Sequence, residues 1–119
     1  MPTADAYERA LATIKEAAAS IERWFKAGKS VSVIVEPGYA VNAGQQLNVV
    51  IRIPSRSVRD TLFRAYLAMD GTISFDFFGE DLVECRTPQE AEQKVLEFLA
   101  RPEMQLRMRT YKDLAVGKA

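Results

Sequence analysis

The sequence predicts a single α+β domain over residues 1–119: a mainly antiparallel meander of four or five strands, packed on one side by an N-terminal helix and one or two C-terminal helices. Three observations carry this. Five stretches place apolar residues at every second position: Val31, Val33, Val35; Leu47, Val49, Ile51, Ile53; Phe63, Ala65, Leu67; Ile73, Phe75, Phe77; and Val83, Cys85. Successive side chains of a strand point to opposite faces, so period two implies strands with one buried side. An apolar stripe at helical spacing precedes them, and a capped amphipathic segment follows.

The first element is expected from about Thr3 to Ala27. Tyr7, Leu11, Ile14, Ala18, Ile21 and Phe25 fall on one face of a helix, and Ala10, Ala17 and Trp24 widen it. Thr3 suits the N-cap, and Gly28 suits the left-handed residue that ends a helix. The stripe spans less than three heptads, so packing on the sheet is preferred to a coiled coil.

Strands follow at Val31–Glu36 and Gln46–Ile53. The segment Pro37 to Gly44 between them opens with Pro-Gly and reads as a long loop, with Tyr39 and Asn42 as its side chains suited to a ligand. Pro54 to Asp60 reads as a connection. Residues 58–69 admit two readings. Ser57 with Asp60 looks like a helix start, with Val58, Leu62, Ala65, Tyr66 and Met69 as its stripe. A strand is preferred, because a three-residue loop Met69-Asp70-Gly71 then joins Leu67 to Ile73, Ala65 to Phe75 and Phe63 to Phe77. The same reasoning applied to Gly79-Glu80-Asp81 sets Phe77 opposite Val83 and Phe75 opposite Cys85.

Thr87-Pro88-Gln89-Glu90 is a helix start of local origin: threonine caps, proline takes the first helical position, and Glu90 reaches back. Ala91, Val95, Phe98 and Leu99 give that helix, Pro88–Ala100, its buried face. The tail from Glu103 alternates weakly as a strand would, but Met104, Met108, Tyr111 and Ala115 fit a helix better.

Composition bounds function by exclusion. The chain has 119 residues, 48% hydrophobic and 27% charged, with 16 basic and 16 acidic side chains and a formal net charge of zero. A neutral chain lacks the basic footprint of a nucleic-acid binder. There is no histidine, so neither a histidine triad nor a histidine zinc site can be built. The glycines follow neither phosphate-loop nor dinucleotide spacing, and no cofactor or metal ligand set is legible. The lone Cys85 sits among core residues and reads as a structural thiol. No apolar run is long enough to span a bilayer and no leader pattern opens the chain, so the expected location is the cytoplasm.

Charge is nonetheless segregated: Arg52 to Arg64 holds four basic residues against one acidic, while Asp70 to Glu97 holds eight acidic against two basic. The second face of the sheet should display Arg52, Arg64, Tyr66, Asp76, Phe78 and Glu84 beside Ile34, Val50 and Leu82. Aromatic residues mixed with arginines are enriched where proteins meet. The expected function is a non-enzymatic binding module that forms a homodimer through this face and offers a groove or rim to a protein partner. The alternative is a small-molecule or carboxylate-based catalytic site on the same face.

Overall fold

In the computed structural model, which describes residues 2–41, 44–79 and 81–117, helix α1 (Pro2–Phe25) leads into five strands and two further helices. The strands are β1 (Ser32–Val41), β2 (Gly44–Ile53), β3 (Val58–Ala68), β4 (Ile73–Asp76) and β5 (Val83–Cys85). They lie in sequence order in one antiparallel sheet. Helices α2 (Pro88–Leu99) and α3 (Pro102–Ala115) close the chain. The expected α+β meander forms, with five strands where four or five were expected and two C-terminal helices where one or two were expected.

One face of the sheet joins all three helices in a single core. Ile14, Ala18, Ile21 and Phe25 of α1, Ala91, Val95 and Phe98 of α2, and Met104, Met108 and Tyr111 of α3 pack into the same cluster as Val33, Val49, Ile51, Phe63, Phe75 and Cys85. Its centre is aromatic. Phe63 meets Phe75, Phe77 and Phe98 edge-on, with ring centroids 5.5–5.9 Å apart, and Phe77 stacks on Phe98 at 4.4 Å. Phe63, Phe75 and Phe77 thus share a side, as their period requires.

Helix α1 begins at Pro2, so Thr3 lies inside it rather than capping it. It ends at Phe25, where Lys26 turns left-handed (φ 53°), two residues before Gly28. Trp24 is 42% exposed instead of joining the core.

The expected loop from Pro37 to Gly44 is mostly strand. The β1–β2 ladder runs from Ser32↔Arg52 through Pro37↔Leu47, slips by a bulge, and resumes at Ala40↔Gln45. Proline has no N–H to give a ladder, and β1 is an edge strand, so Pro37 is tolerated there. Asn42 lies outside the described residues.

The connection after β2 is shorter than expected. A 3-10 turn, Pro54–Arg56, ends at a left-handed Ser57, and β3 begins at Val58. Residues 58–68 are strand, with one irregularity: Val49 pairs Phe63 but Val50 pairs Thr61, leaving Leu62 as a bulge. Leu62 and Phe63 are both fully buried in the core. That doubled residue shifts the phase of the alternation, which is why the sequence of β3 also mimics a helical stripe.

The β3–β4 hairpin has the expected register at Leu67↔Ile73 and Ala65↔Phe75, with Gly71 at φ 90° closing a three-residue loop, but the ladder ends at Arg64↔Asp76, short of the expected pair Phe63 and Phe77. The next hairpin does not keep its expected register. Phe75 pairs Val83 and Ile73 pairs Cys85, a slip of two residues from the expected register. The strand ends at Asp76 because Phe77 leaves the ladder to stack on Phe98. A slip of two keeps every side chain on its face, so Cys85 is still buried.

The start of α2 behaves as its local sequence dictates. The Thr87 hydroxyl accepts from the Glu90 amide at 3.1 Å. The Glu90 carboxylate accepts from the amide of Arg86, one residue before the cap, at 3.0 Å. Thr87→Ala should cost about 1 kcal/mol of unfolding free energy, read from a shift in the denaturant midpoint at unchanged slope.

Candidate functional site

The second face of the sheet carries no helix: all three helices join the cluster on the other side, and Val50, on this face, stays outside that cluster. Val50 is nevertheless only 1% exposed, walled by Ile34 and Thr61 across its two ladders.

The antiparallel registers order this face into rows. One row runs Glu36, Asn48, Arg64, Asp76 across β1 to β4. A second runs Gln46, Tyr66, Ser74, Glu84 across β2 to β5. Arg64, Tyr66, Asp76 and Glu84 are therefore neighbours. Arg52 is not among them, because it lies four residues along β2 from Asn48, about 13 Å away at strand rise, opposite Ser32 and Arg59. Tyr39 stands apart too, 80% exposed on the far half of β1.

Hydrogen bonds hold the first row. Asn48 Oδ1 accepts from Arg64 Nε at 3.2 Å and from Gln46 Nε2 at 3.3 Å. Arg59 pairs with Glu36, and Arg86 with Glu84 at 3.0 Å. Arg64 and Asp76 sit opposite each other without forming an ion pair. The Asp76 carboxylate instead accepts from the amide of Phe78 at 3.0 Å, an Asx turn that folds the chain back after β4.

That turn holds Phe78 in the left-handed region (φ 59°), where a bulky residue is a genuine outlier costing about 1–3 kcal/mol. The ring gains no core burial in return. It is 40% exposed and lies 5.4 Å from the Arg64 guanidinium.

The arrangement suits recognition better than acid–base chemistry. Glu84 is exposed and ion-paired, and Asp76 is committed to a backbone amide. Cys85 is buried on the opposite face, where burial foremost, and then the nearby Glu90 charge, push its thiol up; that disfavours the reactive thiolate. No group of three or more metal-ligating side chains assembles among the described residues. No helix among them is long and apolar enough to cross a membrane.

A second concavity was not legible in the sequence. It is a groove of about 540 Å³ between α1 and α2, with Gln105 and Met108 of α3 also in its wall, floored by Ile14, Ile21 and Phe75, with Trp24 and Leu96 on its lips. Its one advance signal is Leu96, an apolar residue off the buried stripe of α2 and 60% exposed.

The fold and these two surfaces define a small α+β protein with a bare sheet face and a helical groove. Compared with known proteins, the chain matches no family model, no curated protein and no solved structure.

Proposed function

We propose that this protein is a non-enzymatic binding module that pairs with a second copy of itself through the bare face of its sheet. The observation that carries the reading is Phe78: a strained, half-exposed aromatic held beside Arg64 by the Asp76 turn. Strain of this kind persists where a site uses it.

Charge supports a second copy as the occupant. Arg52 and Arg64 lie on β2 and β3, and Asp76 and Glu84 lie on β4 and β5, so a two-fold axis over the face brings the basic half of one protomer onto the acidic half of the other. The strands run to 10, 10, 11, 4 and 3 residues, and at about 3.3 Å per residue and about 4.8 Å spacing they offer about 600 Å² per copy, at the lower bound of specific interfaces. The dimer is therefore expected to dissociate on dilution rather than to be obligate.

Native mass spectrometry and sedimentation of the wild type should report a dimer at high micromolar concentration, and Tyr66→Glu should give a folded monomer. Phe78→Gly separates the role of the ring from folding. Glycine accepts the left-handed backbone, so the monomer should gain about 1 kcal/mol of stability while self-association weakens. A wild type that stays monomeric at high concentration, or a Tyr66→Glu variant that dimerises as the wild type does, would remove the proposal.

A further inference from the structure

The groove between α1 and α2 lies on the helical side of the molecule, away from the sheet face, and nothing proposed above uses it. We infer that it receives a basic amphipathic helix of a partner protein.

Shape points to a helix rather than a compact ligand. The lining follows α1 from Ala12 to Trp24, about 18 Å of helix axis, and α2 from Pro88 to Leu99 beside it. A trough of that length accommodates about three turns. Two helices pack with their axes 8–10 Å apart only where side chains at the contact allow it. Ala12, Ala17 and Ser20 on α1 and Ala91 on α2 keep the trough shallow in side chain, while Trp24 and Leu96 rise at the lips. An apolar helix face laid into such a groove is a recurring mode of recognition, with anchors spaced three and four apart.

Charge selects the partner. Both charged residues in the lining, Glu16 and Glu92, are acidic. Glu16 is engaged by Arg23 at 2.8 Å, which holds its carboxyl below the usual carboxylate range. The Glu92 carboxylate, among the described residues, makes no hydrogen bond or ion pair, unlike Glu90 and Glu97 on the same helix. It stands on α2, which carries three glutamates against one lysine. A helix with lysine or arginine flanking its apolar stripe would meet that carboxylate. Lys112, stacked 5.2 Å from the Trp24 ring, marks the other end of the groove, so the basic flank belongs toward Glu92.

Trp24 is the single tryptophan of the chain, so its fluorescence reads the groove directly. The probe is a synthetic amphipathic peptide of about 14 residues built from leucine and lysine, with a leucine and glutamate counterpart as control. The lysine peptide should shift the Trp24 emission to the blue, saturably, and bind about tenfold or more tightly than the glutamate peptide. Leu96→Glu, at an exposed position, should weaken it about tenfold, although the substitution adds negative charge. Tighter binding by Leu96→Glu would mean charge attraction alone and would overturn the inference, as would equal affinity for the two peptides. A shift produced by decanoate but not by the lysine peptide would make the occupant a small apolar molecule instead. Loss of self-association in Leu96→Glu would make it a second copy. Tyr66→Glu should bind the lysine peptide as the wild type does, so failure of the sheet-face dimer and failure of the groove are told apart.

Discussion

Phe63→Ala should lower the unfolding free energy by about 3–5 kcal/mol, out of the about 5–15 kcal/mol that a domain of this size possesses. Phe63 has no solvent exposure and touches three other phenylalanine rings drawn from two separate elements, β4 with its following loop and α2. Its removal leaves a void bounded by stacked rings. Phe77 and Phe98 lie nearly parallel at 4.4 Å and cannot both tilt into the space without losing each other. The bulge at Leu62 turns two consecutive residues of β3 into the core, so Leu62 and Phe63 are buried side by side. Urea unfolding followed by far-ultraviolet circular dichroism measures the loss. Phe98→Ala should be costly for the same reason, and the double variant should lose less than the two singles combined, with a coupling of about 0.5–3 kcal/mol. A loss below about 1 kcal/mol for Phe63→Ala would mean that the aromatic cluster is not what holds sheet and helices together.

How much of this was legible in the sequence depends on whether the deciding contact is local. The Thr87 cap is made by residues three apart, and it forms where the pattern places it. The β3–β4 hairpin is also near-local, and pairing apolar with apolar selects its register without ambiguity. The β4–β5 register is decided elsewhere. The apolar pattern constrains it only to an even slip, and the choice between two even slips is made by Phe77, which stacks on a helix residue 21 positions later. Pro37 illustrates the same dependence. Proline inside a strand pattern signals a loop unless the strand is an edge, and edge position is a property of the whole sheet.

The two surfaces divide in the same way. The sheet face could be enumerated from alternation, and Arg64, Tyr66, Asp76 and Glu84 are where the period puts them. The left-handed backbone of Phe78 could not, since no residue type announces it; Asp76 two positions earlier is the only hint. The groove was invisible because it depends on how far apart α1 and α2 settle. Trp24 falls beside the buried stripe on a helical wheel, but its ring lies at the margin of the core, meeting Phe25 edge-on at 5.0 Å and Lys112 at 5.2 Å.

Alkaline pH should destabilise the protein through α3. Tyr111 is buried, and its hydroxyl donates to Asp60 at 2.6 Å while accepting from Arg107 Nε at 2.9 Å. Arg107 also donates to the Thr61 carbonyl at 3.3 Å, so the trio fastens α3 to the start of β3. Burial foremost, and then the hydrogen bond to the Asp60 carboxylate, favour the neutral phenol and push Tyr111 up to about 12, against the opposing charge of Arg107. In the unfolded chain the same group titrates near 10. Below pH 10 the phenol is neutral in both states and the stabilisation is complete. Between 10 and 12 the unfolded chain ionises while the folded one holds its proton, so stability falls as pH rises through that window. The loss is on the order of 1–2 kcal/mol once solvent screening at the exposed Asp60 is allowed for. Comparison with Tyr111→Phe cancels every pH effect that the two proteins share. At neutral pH the variant should be the less stable by about 1–2 kcal/mol, having lost a charge-assisted hydrogen bond. The gap between the two proteins should then close from pH 10 to 12 in parallel denaturant titrations. A gap that stays constant across that window would show that the phenol ionises equally easily in both states, and that Asp60 and Arg107 do not hold its proton.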